Sequence, residues 1–149
     1  MEYVRDFDKI EKNTLKGYTY GVQVINSSAV TNLLSNTISS QTIDGIYLSS
    51  SSGITNIKSN TIYGDEYGIR FCTGCKATTI SDNKIYDSGK NSLYIIGSKV
   101  GTISNNDIKN SGDCGIYAST GTISNITGNK ITKCKSHGIQ ISKTKVSKI

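Results

Sequence analysis

The sequence predicts an all-β fold, a right-handed single-stranded parallel β-helix of about six coils, on three observations. Asn13, Asn36, Asn60, Asn83, Asn106 and Asn129 follow one another at steps of 23 or 24 residues. Their surroundings repeat as IEKNTL, LLSNTI, IKSNTI, ISDNKI, ISNNDI and ITGNKI, which marks one supersecondary unit copied along the chain. A second landmark keeps the same period as GVQV, GIYL, GIRF, SLYI, GIYA and GIQI, where apolar and polar residues alternate as in a strand buried on one face. The third observation is negative. Helical i, i+3, i+4 spacing is not sustained, and the Ser, Thr, Gly and β-branched content disfavours helices.

Along one coil, the strand after Gly21 sends Val22 and Val24 inward. Its copies do the same with Ile46/Leu48, Ile69/Phe71, Leu93/Ile95, Ile116/Ala118 and Ile139/Ile141. Two single apolar columns follow: Val30, Ile54, Ala77, Val100, Ile123, Val146, then Leu33, Ile57, Ile80, Ile103, Ile126, Ile149. Past the asparagine comes the last column, Leu15, Ile38, Ile62, Ile85, Ile108, Ile131. Five inward apolar residues per coil, spread over three short strands, describe a parallel β-helix. The crossover preference of parallel strands makes it right-handed. With coils about 4.8 Å apart, six of them make a stub of roughly 29 Å.

The asparagine column falls at a corner between two strands. An asparagine there tolerates left-handed geometry and bonds its own backbone. Stacked on its copies, its amide can also donate to the next carbonyl, which predicts an inward-facing ladder. The column is architecture rather than a site.

A chain of 149 residues with 35% apolar residues is short of core for a globule, but not for a solenoid whose coils cover one another. It is read as one domain, 1–149, an uncapped segment of a longer protein. Ile10 and Ile149 occupy the same phase of the coil, and solenoids ordinarily carry caps at their ends. Open strand edges at such ends invite stacking of copies end to end. No apolar run approaches membrane-spanning length, and MEYVRDFDKI lacks a leader's apolar core. The expectation is a piece of a secreted or cell-surface chain.

Charge is unevenly placed. Residues 1–75 carry 6 basic and 7 acidic side chains, whereas residues 76–149 carry 11 and 4, and 130–149 hold six lysines and no acid. Such a field favours anionic partners, acidic polysaccharide or cell-wall glycan. Nucleic acid ranks last, because no recognition element accompanies the lysines. The cysteines, Cys72, Cys75, Cys114 and Cys134, are too few and irregular for a disulfide framework and read as free, buried thiols. Cys72 and Cys75 have CxxC spacing, but the remaining zinc ligands would have to come from two or more coils away. Neither a metal nor a cofactor is expected.

Together, the GI-x-aliphatic strand and the aliphatic-x-x-N-x-aliphatic corner resemble the right-handed parallel β-helix repeat of the pectin-lyase-like superfamily. That group includes polysaccharide lyases, polygalacturonases, pectin methylesterases, epimerases, phage tailspikes and non-catalytic surface repeats, so the resemblance implies a fold and not one activity. The Lys- and Ser-rich stretch KSHGIQISKTKVSKI resembles repeat regions of large secreted bacterial surface proteins. Glycan-cleaving members need paired carboxylates, or calcium-binding acids with a basic residue. Ser136-His137-Gly138 resembles the GHG element of polygalacturonases, and Asp113-Cys114 the second half of their paired acids. Gly112 stands where the first acid belongs, and Asn91-Ser92-Leu93 replaces an NTD element. Just before each strand glycine stand Tyr20, Asp44, Tyr67, Asn91, Cys114 and His137, a column with no two adjacent acids. No catalytic residue is assigned.

The binding candidate is an outward column, the residue between the two inward ones: Gln23, Tyr47, Arg70, Tyr94, Tyr117, Gln140. In register it makes a ribbon in which Tyr47, Arg70, Tyr94 and Tyr117 can contact a glycan, or simply stack on one another and stabilise the sheet. Tyr63 and Tyr86 form a shorter outward pair elsewhere. The expected function is a non-catalytic structural or adhesive segment that binds acidic polysaccharide. The alternatives are a fragment of a polysaccharide lyase, hydrolase or epimerase with its catalytic coils elsewhere, and a module that self-assembles end to end.

Overall fold

Backbone sterics at three corners divide every coil into three strands. At the first corner, the residue before each ladder asparagine takes a left-handed conformation: Lys12, Ser35, Ser59, Asp82, Asn105 and Gly128, with φ from 55° to 66°. A second set, Gly17, Ser40, Gly64, Asp87, Asn110 and Lys133, turns the chain after the next strand. The computed structural model describes the backbone of residues 6–149, with side chains from Asp8 onward. The stretch MEYVR, read above for its lack of a leader core, lies outside the described residues.

All neighbouring strands pair in parallel, one coil on the next. The first sheet stacks β1 (Asp6–Glu11), β4 (Ala29–Leu34), β7 (Gly53–Lys58), β10 (Lys76–Ser81), β13 (Lys99–Ser104), β16 (Thr122–Thr127) and β19 (Lys145–Lys148). The second stacks β2 (Thr14–Lys16), β5 (Thr37–Ser39), β8 (Thr61–Tyr63), β11 (Lys84–Tyr86), β14 (Asp107–Lys109) and β17 (Lys130–Thr132). The third stacks β3 (Tyr20–Val24), β6 (Asp44–Leu48), β9 (Tyr67–Phe71), β12 (Leu93–Ile96), β15 (Ile116–Ser119) and β18 (Ile139–Ser142). The expected parallel β-helix is the fold of the chain.

Core positions follow the expected columns. In the middle coils Ile38, Ile62, Ile85 and Ile108 from the second sheet, and Ile46, Ile69, Leu93 and Ile116 from the third, are wholly buried. First-sheet strands contribute two inward residues three apart, as with Val30 and Leu33, because Thr31 and Asn32 both stay out of the core. Ile149 departs from its expected inward place and is 71% exposed; it lies past the end of the last strand, Lys145–Lys148, and is not part of the ladder with β16. The strand glycines mark a close approach. A Cβ on Gly45 would collide with the γ-methyl of Ile62 and sit 2.6 Å from the Gly68 carbonyl oxygen.

The ladder forms as expected and is saturated at its inner rungs, Asn36, Asn60, Asn83 and Asn106, but the turn falls one residue earlier. The asparagines themselves do not hold the left-handed turn; the residue before each of them does. That leaves the amide free to point inward. Asn83 Nδ2 donates to Asn106 Oδ1 at 3.0 Å and to the Ile57 carbonyl at 2.9 Å. Its Oδ1 accepts from the backbone N–H and from Nδ2 of Asn60, at 2.9 and 3.1 Å. The same four-bond pattern recurs at Asn36, Asn60 and Asn106. Bonds to the asparagine's own segment survive only at the ends, from Asn13 to the Glu11 carbonyl and from Asn129 to the Thr127 carbonyl.

Removing one rung therefore orphans two buried donors on the coil below. Asn83→Ala is expected to cost about 3 kcal/mol or more, from about 1–3 kcal/mol per unsatisfied group. A urea melt reads this as a lowered midpoint, and an unchanged midpoint would rule out a stabilising ladder.

Candidate functional site

Because the third sheet stacks in register, its outward residues become continuous columns. Gln23 lies beside Tyr47, Tyr47 beside Arg70, Arg70 beside Tyr94, Tyr94 beside Tyr117 and Tyr117 beside Gln140. The structure thus brings Tyr47, Arg70, Tyr94 and Tyr117 onto one face, all half-buried. The preceding column adds Tyr20, Asp44 and Tyr67, paired in the same order. Side chains of the two columns interleave. Tyr20 stacks on Tyr47 with ring centroids 5.0 Å apart, Tyr67 meets Tyr94 at 5.2 Å and Tyr94 stacks on Tyr117 at 5.3 Å.

Arg70 joins the two halves of this stack. Its guanidinium lies 4.8 Å from the Tyr47 ring centre and 4.9 Å from that of Tyr67. It is held there by Asp44, whose Oδ2 accepts from Nη2 at 2.7 Å and from Nε at 3.0 Å. Asp44 is 0% exposed and comes from the coil below, so the pair clamps β6 to β9. A second ion pair, Lys90 with Glu66, sits at the rim, with the Lys90 ammonium 5.3 Å from the Tyr67 ring centre. The second pair of rings, Tyr63 and Tyr86, stacks at 5.1 Å on the second sheet, away from this site.

Beneath the ribbon lies a residue that column reading of the ribbon alone misses. Asp65 is 3% exposed, and its Oδ2 would stand 2.9 Å from a Cβ placed on Gly45. It belongs to an inward column at the second corner: Gln41, Asp65, Ser88, Ser111 and Cys134, spaced like the asparagines. Gln41 Oε1 accepts from the Tyr18 N–H, and Asp65 Oδ1 accepts in the same way from the Gln41 N–H at 2.6 Å. Gln41 Nε2 meanwhile donates to the Leu15 and Ser39 carbonyls at 2.9 and 3.0 Å. Asp65 Oδ2 takes the corresponding place without a hydrogen to give, and it has no partner; neither has Asp44 Oδ1. Burial and then the neighbouring Asp44 carboxylate push the Asp65 carboxyl up to about 7. Burial likewise raises Asp44 to about 6, against the opposing pull of Arg70. The 23- and 24-residue spacing of Gln41, Asp65 and Ser88 was the signal that could have found it.

The polygalacturonase-like fragments continue the column of Tyr20, Asp44 and Tyr67 into the last coils of the same sheet. His137 is exposed and lies 2.7 Å from Ser136 Oγ, while the buried Cys114 thiol is 4.0 Å from His137 Nδ1 and bonds Gln140 Oε1 at 3.2 Å. The four cysteines are free thiols, with Cys75 and Cys114 buried and Cys72 and Cys134 half-buried. Among the described residues no group of three or more His, Cys, Asp or Glu converges on one point. Among the described residues no helix is long and apolar enough to cross a membrane.

The Asp65 environment generates a pH prediction. Its native carboxyl binds a proton that the unfolded chain, at about 3.8, releases. The stability this supplies is complete below about pH 4 and is lost as the pH rises through about 7. Asp65→Asn puts a donor where Gln41 has one. Thermal midpoints across that window should flatten to the slope left by Asp44, and the variant should exceed the parent at pH 8. A parent protein whose midpoint rises from pH 4 to 7, with Asp65→Asn unchanged from it, would contradict the assignment.

Comparison with known proteins places the fold. No curated protein and no solved structure matches the chain. The family described as "Right handed beta helix region" matches residues 44–149, from the clamp aspartate through four complete coils and the two strands that follow. With most of its repeats inside that match, and with three parallel sheets stacked coil on coil, the chain belongs to the right-handed β-helix family.

Proposed function

We propose that the protein is a non-catalytic structural segment of a secreted or cell-surface protein, and that its third-sheet ribbon holds a polysaccharide chain. The observation that carries this reading is the Asp44–Arg70 clamp. A buried carboxylate fixes a guanidinium between two tyrosine rings, so the surface is organised before any ligand arrives. A long chain can follow the ribbon, because equivalent groups recur about every 4.8 Å along the axis.

The geometry also specifies the kind of contact. Tyr94 and Tyr117 are within 12° of parallel and Tyr20 and Tyr47 within 24°, so these rings spend their faces on one another. Hydroxyl edges and the remaining guanidinium N–H groups are what a sugar chain would meet. Arg70 is matched by Asp44 and Lys90 by Glu66, so the ribbon offers hydrogen bonds more than net charge. Both carboxyls at its base, Asp44 and Asp65, are buried, away from where a glycosidic bond would lie, and this supports the non-catalytic part of the reading.

The test uses two sets of substitutions and retention on immobilised polysaccharides. Replacing Tyr47, Tyr94 and Tyr117 by Ala should abolish retention while the far-ultraviolet spectrum stays that of a β-helix. Replacing the same three by Phe keeps the stack and removes the hydroxyls, and should also lose retention, by about tenfold if each hydroxyl contributes about 0.5 kcal/mol. Full retention by the Phe variant would show that the tyrosines serve only the sheet.

A further inference from the structure

The first sheet carries a separate surface, independent of the ribbon reading. On its outer side a groove of about 520 Å3 runs across successive coils from Ala29 to Thr122. Five strands at about 4.8 Å spacing make it roughly 19 Å long. Lys76 and Lys99 line it together with Thr55, Thr78, Thr122 and Ser124. The residues on either side of the inward column form its walls, with Gly53, Lys76, Lys99 and Thr122 on one side and Thr55, Thr78, Gly101 and Ser124 on the other.

Charge is segregated here in a way that the rest of the molecule avoids. From β4 onward, the corner and first-sheet strand of each coil span 25–34, 49–58, 72–81, 97–104, 120–127 and 143–148. These segments contain Lys58, Lys76, Lys99, Lys143, Lys145 and Lys148, with no Asp or Glu and no aromatic residue. Lys76 pairs directly with Lys99, and Thr122 leads on to Lys145 in the same column. Like charges opposite one another on neighbouring strands destabilise a sheet. On the second sheet that conflict is relieved, since Asp107 sits between Lys84 and Lys130. The acids of the first sheet, Asp6, Asp8 and Glu11, lie on β1 at its far end. An unrelieved row of exposed ammonium groups beside a hydroxyl-lined groove is complementary to a linear polyanion.

We infer that this groove binds a sulfated glycan. The chemistry fits that partner. The cations are lysines, point charges with three rotatable donors, which take a singly charged oxyanion without requiring the planar fork of a guanidinium. One singly charged ester per ammonium balances the column. Thr and Ser hydroxyls bond sugar hydroxyls between the esters. No aromatic ring lies in these segments to stack a base, which sets nucleic acid aside.

The experiment is a titration of the whole protein with a sulfated glycosaminoglycan oligosaccharide at physiological salt. Competitors are an oligogalacturonate, a polyphosphate and a single-stranded oligonucleotide of equal charge. The triple variant Lys76→Gln, Lys99→Gln, Lys145→Gln should weaken binding by about tenfold or more. Lys84→Gln, Lys109→Gln, Lys130→Gln makes the same charge change on the second sheet and should shift it less than about twofold. Lys76→Arg with Lys99→Arg keeps the charge and should keep binding, which separates a lost ligand contact from a damaged fold. Equal losses in the two Gln triples would mean that net charge alone is read, and would overturn the inference. So would an absence of binding, or displacement by the oligogalacturonate, the polyphosphate or the oligonucleotide at matched charge. If the three tyrosine substitutions abolish binding while the groove variant does not, the chain sits on the ribbon and only the ribbon reading survives.

Discussion

Stacking one coil on the next in strict register is the constraint from which the other features descend, and the asparagine ladder is what holds that register at the first corner. A corner exposes backbone groups that no strand partner can take. Each buried asparagine answers two donors of the coil below it with one oxygen and returns two donors of its own. A slip of one residue would leave these amides facing apolar columns and turn the aliphatic residues outward. Polar and apolar requirements therefore select the same alignment. The turn itself is delegated to the residue before, which is Lys, Ser, Asp, Asn or Gly in different coils.

Register converts single residues into columns, so any surface property is multiplied along the axis. On the third sheet this yields interleaved tyrosines bridged by Arg70; on the first it yields stacked lysines. The two outcomes differ in electrostatic economy. Arg70 has a buried counter-ion in Asp44 and shares its flat faces with two rings, whereas Lys76 and Lys99 stand side by side with Gly53 and Thr122, not acids, as their next neighbours in the column. A repeat fold with near-identical coils thus places a neutral, rigid face and a positive, hydroxyl-rich one on different sides of one short rod.

The same multiplication explains the strained chemistry at the second corner. A polar column inside a solenoid must alternate donors and acceptors as the ladder does. Gln41 does so, but Asp65 in the next coil supplies two acceptor oxygens where one donor is required, and only a proton restores the pattern. Asp44 lies close enough to add its charge to the problem while being committed to Arg70. The carboxyl pair is thus a local cost of the repeat, set below the face that carries the ribbon.

Period and alternation in the chain by themselves determined the coil length, the three strands, the inward columns and the alignment of Tyr47, Arg70, Tyr94 and Tyr117. All of these are properties of one residue and its copies 23 or 24 positions away. What the tertiary structure decided are relations that are not multiples of the repeat. Asp44 reaches Arg70 across 26 positions, Asp65 packs under Gly45, and a groove opens along the outer side of the first sheet. The left-handed residue moved one place from its expected position, because an asparagine that turns the backbone cannot also aim its amide at the coils on both sides. Column reading sees neighbours along the axis. Contacts that cross between columns, or pass beneath a corner, depend on side-chain length and local backbone angle, and these exist only once the coils have closed.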